Sequence, residues 1–262
     1  MIGAIIGDIV GSIYEYRGIR DKNFELFNEY KFFTDDTVLT CAVAKALLKC
    51  DGNYDNLSLQ ATICMQDFGC TYRDCNYGSM FSDWLHQTYP KPYNSFGNGS
   101  AMRISPVAYV AKSLNEVKSL SRKVTKITHN HPEGLKGAEA VAVAIWLALH
   151  GESKENIKKV IEENYYKISD NYENIPTSFQ FDATCQGTIP LCFYAFFNSS
   201  SFEDSIRTAI SFGGDTDTMG AITGSIAEAF YGVPSKMKVK ALKYLDKNLV
   251  KIVKEFTNKY KK

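Results

Sequence analysis

Residues 137–150, GAEAVAVAIWLALH, are apolar almost all the way round a helical wheel. A helix without a polar stripe has no face to offer to water, so other elements must surround it. Few features constrain a fold more, because the rest of the chain has to supply the shell. The shell is legible in the same periodicity. Val38, Leu39, Ala42, Val43, Ala46 and Leu47 keep one face over 35–49. Ile157, Val160 and Ile161 do so over 154–166, and Leu242, Leu245, Leu249, Ile252 and Phe256 over 236–259. The lysine-rich opposite side of that last segment reads as a solvated face. Ser113 with Glu116, and Ser201 with Asp204, have the spacing of capping boxes and mark two further helix starts. Strand patterns are scarce and no βαβ rhythm appears, which disfavours a parallel sheet. The expectation is an all-α fold, a single compact helical domain over residues 1–262 with no linker or internal repeat. Segments 16–33, 85–100 and 169–187 read as long loops, and long loops in compact domains are often functional.

Glycine spacing adds a second constraint. Gly3, Gly7 and Gly11 recur every four residues, as do Gly220 and Gly224. On a helix such residues share one face and let another backbone approach closely. The first helix and the helix after Asp217 are therefore expected to be central and tightly packed.

Charge and cysteine usage narrow the function classes. The formal net charge is +1, so no bulk field favours nucleic acid or anionic lipid. Seven cysteines, an odd number with no CxxC pair, do not resemble a secreted disulfide framework or a zinc knuckle. Reduced thiols and a cytoplasmic location are the expectation. The apolar N-terminus lacks a basic region and is interrupted by Asp8, unlike a signal peptide. No run approaches the roughly 18 apolar residues of a membrane span.

Two acidic clusters carry the chemistry. Thr34-Asp35-Asp36-Thr37 stands where a helix begins. One carboxylate there is a sound N-cap, but two adjacent carboxylates repel and favour a cation between them. Phe212-Gly213-Gly214-Asp215-Thr216-Asp217-Thr218 also precedes a helix, with glycines that allow unusual backbone angles. Such hard oxygens select Mg²⁺, Mn²⁺ or Ca²⁺ over zinc or copper. Together the clusters point to one shared site with one or two ions. Asp8, in an apolar helix, costs several kcal/mol if charged and unpaired, roughly, and needs a partner. Glu15, two turns later, has the reach to join the clusters.

Two weaker signals accompany them. Ser95-Phe96-Gly97-Asn98-Gly99-Ser100-Ala101-Met102-Arg103 is a Gly-rich turn of the kind that cradles phosphate, although a plain turn explains it too. Arg103 fits either a charge for substrate or a structural ion pair. In Thr128-His129-Asn130-His131-Pro132 the histidines lack a third zinc ligand at familiar spacing. His129 reads as a polar group in a site or as a satisfied structural histidine.

The strings GDIVGSIYE, FTDDTVLT, GNGSAMR, THNHPEGLKGAEA and FGGDTDTMGAITGSIAEA, taken in order, resemble the ADP-ribosylglycohydrolases, the superfamily of the dinitrogenase-reductase-activating glycohydrolase. They run from Gly7 to Ala229 and so span most of the chain. The resemblance implies an all-α fold with a binuclear Mg²⁺ or Mn²⁺ cleft. It implies Thr34, Asp35 and Asp36 as one group of metal ligands and Asp215, Asp217 and Thr218 as the other. Glu15 matches a family glutamate near the metals, a gate or an acid/base. Ser95, Phe96, Gly97, Asn98, Gly99 and Ser100 match a loop for pyrophosphate and ribose, with Phe96 at an adenine-stacking position. His129 matches a histidine on the phosphate and ribose side. Met102, Arg103, Gly213 and Gly214 flank these motifs as substrate-side candidates.

The implied reaction is hydrolysis at C1″ of ADP-ribose, releasing it from a modified protein side chain or small conjugate. Asp36 or Glu15 orients or deprotonates the water, and carboxylates stabilise an oxocarbenium-like charge. Tyr14, Tyr16 and Arg17 are candidates to meet the leaving group, and ordinary surface packing explains them equally. A monomer is the working expectation. Two rivals remain: an ADP-ribose-binding or crystallin-like structural protein, and a haloacid-dehalogenase-like phosphatase. The phosphatase reading uses Asp215-Thr216-Asp217-Thr218 as its DxDxT motif, but it needs a hydrophobic strand before the motif and a long α/β domain after it.

Overall fold

The computed structural model describes residues 1–169 and 181–260. In chain order the helices are α1 (Ile2–Gly11), α2 (Tyr14–Arg17), α3 (Asp35–Cys50), α4 (Leu57–Thr71), α5 (Ser79–Leu85), α6 (Gly99–Met102) and α7 (Ser105–Val110). They continue with α8 (Leu114–Thr125), α9 (Pro132–Leu149), α10 (Lys154–Asn164), α11 (Cys185–Phe197), α12 (Phe202–Ser211), α13 (Thr216–Tyr231), α14 (Ser235–Ala241) and α15 (Lys247–Lys259). Among the described residues there is no strand, and the fold is all-α; Gly97 and Thr184 form an isolated antiparallel bridge.

The apolar helix sits where its composition demands. α9 is ringed by α6, α7, α8, α10, α11 and α13, and its sequence from Ala140 to Ile145 is wholly buried. α1 is buried along its entire length and lies against α13. The glycines make this approach possible. A Cβ on Gly3, Gly7 or Gly11 would overlap the backbone carbonyls of Gly224, Gly220 or Thr216 respectively. The backbones therefore touch at three successive turns, and any side chain there would force the helices apart.

Capping explains most helix starts. Thr34, Ser113, Ser153, Thr184, Ser201 and Asp246 each accept a hydrogen bond from a backbone N–H of the first turn. The capping boxes are present with a shift of one residue. Glu116 accepts from the N–H of Lys112, and Asp204 from that of Ser200, so each returning carboxylate reaches the residue before the N-cap. Asp246 corrects one expectation. The single helix expected over 236–259 is two, α14 and α15, because the Asp246 carboxylate takes the Leu249 N–H (2.8 Å) and starts a new helix.

α4, α5 and α11 lie outside the helices expected from periodicity. α11 is nearly uniform in hydrophobicity and contains Pro190, so it shows neither a stripe nor an uninterrupted pattern. Of the three expected loops, 18–33 and 86–98 are irregular, with α2 opening the first. Positions 170–180 of the third, and the side chains of Tyr16 and Arg17, lie outside the described residues.

Candidate active site

Two helix starts bring the acids together. Asp35 and Asp36 occupy the first turn of α3; Asp215 is the N-cap of α13 and Asp217 lies in its first turn. Thr218 Oγ1 donates to Asp36 Oδ2 (3.1 Å), joining motifs 182 residues apart. The turn that delivers Asp215 needs its glycines, since Gly213 and Gly214 have φ of 74° and 77°. Helix N-termini favour carboxylates, so local geometry tolerates this crowding while solvent is excluded.

The acids line a cavity of about 340 Å³. Of the residues singled out from sequence, Glu15, Asp35, Asp36, Ser95, Gly97, Asn98, Gly99, Met102, Arg103, His129, Asp215, Asp217 and Thr218 form its walls. Thr34, Phe96, Ser100, Gly213 and Gly214 lie outside the lining. Thr34 is fully buried, and its hydroxyl donates to Asp8 (2.8 Å). Phe96 is 44 % exposed, with its ring edge against His131. Ser100 is buried and its hydroxyl donates to Gly97 O (3.1 Å).

Asp8 finds its partners in hydroxyls and amides instead of a cation. It accepts from the N–H groups of Thr34 and Thr37 and from both threonine hydroxyls, clasping α1 to the start of α3. Burial, then the charge of Asp217, pushes its carboxyl up to about 7 against the pull of these donors. The other acids show the same stress. Burial first, and then Asp217, drives Asp35, Asp36 and Asp215 well above the usual carboxylate range.

The donor set suits a divalent cation. Oxygens of Glu15, Asp215 and Asp217 fall within 4.8 Å of one another. Asp36 Oδ1 is buried with no hydrogen-bond partner among the described residues. Buried carboxylates that repel one another, one of them with an orphaned oxygen, are what a hard cation neutralises. Asp35 and Asp36 stand beside the Glu15–Asp215–Asp217 group without belonging to that closest cluster.

The opposite wall is made of donors. Asn98 Nδ2 donates to Asp215 Oδ2 (2.7 Å) and to Thr188 Oγ1 (3.0 Å), tying the Gly-rich turn to the acids and to α11. The turn is held by Asn98 N donating to Ala183 O (2.8 Å) and Cys185 N donating to Phe96 O (3.0 Å). Arg103, 1 % exposed, donates to Thr128 Oγ1 (2.5 Å). Burial first, and then the Arg103 charge, hold His129 well below the ordinary histidine range. The histidine pair divides its roles: His129 faces the cavity, whereas His131 is the N-cap of α9, accepting from Glu133 N (3.1 Å).

Sequence reading missed part of the lining. Leu39, Asn76, Gly78, Ser79, Met80, Phe81, Tyr93, Phe181 and Ala183 complete the walls. Met80 (53 %) and Phe181 (57 %) leave an apolar lip in solvent. An exposed apolar side chain is too common to mark a site by itself. Only its place beside a polar cavity gives it meaning.

Comparison with known proteins identifies the family of the chain. The family model described as ADP-ribosylglycohydrolase matches residues 1–261. The human protein named ADP-ribosylhydrolase ARH3 is 25% identical, over 89% of this chain and 84% of its own. The Pseudomonas putida (strain GB-1) protein named ADP-ribosylarginine hydrolase Tri1 is 28% identical, over 52% of this chain and 39% of its own. A solved structure, an ADP-ribosylglycohydrolase-related protein complex, superposes with a TM-score of 0.69 at 22% identity, covering 96% of each chain.

Proposed function

This chain belongs to the ADP-ribosylglycohydrolase family, and from that premise we propose that it is a divalent-cation-dependent hydrolase that releases ADP-ribose from a modified protein side chain or small conjugate by water attack at C1″. The observation that carries the reading is the convergence of Glu15, Asp36, Asp215 and Asp217 from three separate helix starts on one cavity, with a donor-rich turn opposite.

Asp35, Asp36, Asp215, Asp217 and Thr218 would hold Mg²⁺ or Mn²⁺, two ions in all, with Glu15 beside them. Thr34, committed to Asp8, contributes a lone pair of its hydroxyl or acts only by fixing Asp36, whose N–H it accepts (3.3 Å). When bound, the cations supply Lewis acidity toward sugar hydroxyls and water. The chain's own residues do the rest. Asp36, fixed through Oδ2 by Thr218, or Glu15 orients the attacking water and accepts its proton. Glu15 closes the acid cluster on the side of α2, in reach of the departing group. The carboxylates together stabilise positive charge growing at C1″. Ser95, Gly97, Asn98, Gly99 and His129 form the wall that takes the pyrophosphate and adjoining ribose.

We take the monomer as the active unit. Its seven cysteines are all free thiols, which suits the reducing cytoplasm. Among the described residues no helix is long and apolar enough to cross a membrane. The phosphatase rival loses its premise, because α12 and a glycine turn, not a strand, precede Asp215. The binding-protein rival is not favoured, since every expected oxygen donor is present.

The test is release of ADP-ribose from arginine-, serine- and nucleobase-linked conjugates with Mg²⁺, Mn²⁺ or EDTA. Metal-dependent release from one linkage is expected and names the leaving group. Turnover that survives exhaustive chelation would overturn the metal dependence. Binding of ADP-ribose without release from any conjugate would move the protein to the binding class.

A further inference from the structure

The two nitrogens of His129 face opposite surroundings. Nδ1 lies 2.8 Å from the Thr128 hydroxyl and 3.4 Å from Arg103 Nη2. The same Nη2 donates to Thr128 Oγ1 at 2.5 Å. A hydroxyl can serve an imidazole nitrogen as donor or as acceptor, but a guanidinium carries only donors. A proton on Nδ1 would lie between the Thr128 hydroxyl, which also reaches Thr125 O (3.4 Å), and the Arg103 guanidinium, whose charge and donors disfavour it and favour a bare Nδ1.

Nε2 faces the Gly-rich turn. A Cβ on Gly99 would stand 3.4 Å from Nε2, and one on Gly97 would stand 3.7 Å away. Neither glycine has a positive φ, and neither Cβ would strike backbone closer than 3.5 Å. A Cβ on Gly97 would crowd Ser95 Oγ at 3.2 Å, so packing bears on that glycine, whereas at Gly99 the nearest atom is His129 Nε2 itself. What a side chain at Gly99 would occupy is the space in front of Nε2.

We propose that Arg103 is a positioning residue: with Thr128 it locks His129 as the neutral tautomer protonated on Nε2, so that Nε2–H donates to a phosphate or ribose oxygen entering over Gly97 and Gly99. The identity of the acceptor rests on the ADP-ribose reading above; the lock itself does not. Burial and the Arg103 charge both disfavour the imidazolium. The titratable groups facing His129 are Arg103 from the end of α6 and Tyr93 from the loop, whose hydroxyl burial keeps protonated. From α9 and the turn it meets Gly134, Gly97 and Gly99, which carry no charge. Asp35 acts at one remove by favouring the charge on Arg103.

A long-range ¹⁵N–¹H spectrum of the imidazoles reads the tautomer directly. The chain has four histidines, and the signals lost in His129→Gln identify His129. The expected result is a protonated Nε2 and bare Nδ1, with no titration between about pH 5.5 and about pH 8. A proton on Nδ1, or titration in that window, overturns the lock and leaves the hydrolase reading untouched.

The second arm is ADP-ribose affinity by calorimetry at both pH values. Arg103→Met is expected to weaken binding about tenfold near pH 8 and to regain most of it near pH 5.5, where an imidazolium again carries the Nε2 proton. Arg103→Lys keeps a donor-only neighbour and is expected to stay within about threefold of wild type. A loss in Arg103→Met that is equal at both pH values overturns the proposal, because a direct substrate ligand or a purely structural arginine behaves that way. Should Arg103→Met fail to fold, the wild-type spectrum and Arg103→Lys still decide. Wild-type protein with the Nε2 tautomer in place but no ADP-ribose binding supports the lock and overturns the ADP-ribose reading instead.

Discussion

α13 takes part in two junctions of opposite character. Along Thr216–Gly224 it meets α1 through glycines, and its polar groups there are satisfied. Thr216 Oγ1 donates to Gly11 O (2.9 Å), and further on Glu228 accepts from Gly3 N (2.8 Å) and from the Met1 amine (2.5 Å). At its N-terminus the same helix meets α3 through acids that repel one another, with Asp36 Oδ1 left without a partner among the described residues. The first junction satisfies its own polar groups; the second leaves its acids crowded, and we propose that a cation completes it. The rigid seam keeps the acids from relaxing apart, which is how a site preorganises charge for a cation and a transition state.

The seam is the place to break this contrast most severely. Gly7→Ala puts a methyl into the Gly220 carbonyl. We expect a loss of about 3 kcal/mol or more, or failure to fold. Thermal unfolding checks this, and wild-type stability in the variant would show that the helices can part at little cost.

At the acid junction the signs should reverse. Asp36→Asn removes one of the repelling carboxylates and one of the two proposed proton acceptors. Hydrolysis should fall by about 10³-fold, while the metal-free protein gains about 1 kcal/mol. Activity assays and metal-free unfolding read the two effects separately. Full activity would take Asp36 out of the mechanism.

A smaller effect concerns pH. Folding pushes Asp8 up to about 7 and Asp35, Asp36 and Asp215 upward as well. A carboxyl with a raised value binds its proton more tightly when folded. Its contribution is full below the ordinary carboxylate range, about pH 4, and is lost as pH climbs through the raised value. In EDTA these groups should make the protein lose stability between about pH 4 and about pH 7. Saturating Mn²⁺ or Mg²⁺ should restore about 5 °C of Tm at neutral pH, because only the native state binds it. A metal-free Tm that rises steadily over that window would contradict the repulsion on which the contrast rests.

The smallest effect is expected at Phe96, which is outside the cavity lining and 44 % exposed. Phe96→Ala should change ADP-ribose affinity by less than about threefold and stability by less than about 0.5 kcal/mol. A tenfold loss would mean that the ring leaves His131 and joins the ligand.

Much of this was legible beforehand for physical reasons. The spacing of Gly3, Gly7 and Gly11 against Gly220 and Gly224 announced a close helix pair, because one face of a helix repeats about every four residues. The apolar run at 137–150 announced a surrounded helix, and α9 is one. The acids at 35–36 and 215–217 stood at helix starts, where capping signals are local. The same local logic failed for 236–259, where a hydrophobic stripe continued across the Asp246 cap. It also failed for α11, where Pro190 and uniform hydrophobicity erased the stripe.

What the amino-acid sequence by itself determined is what repeats within a turn or two: the helices that carry a periodic stripe or a cap, which of their faces are apolar, and where carboxylates crowd. Tertiary structure alone decided the pairings. Asp8 became the clasp of α3, Glu15 joined Asp215 and Asp217, and Arg103 came to face His129 Nδ1 across 25 intervening positions. Periodicity reports an environment averaged over one face of one element. A hydrogen bond or a repulsion between distant segments depends on how helices cross, and that is set only when the core closes.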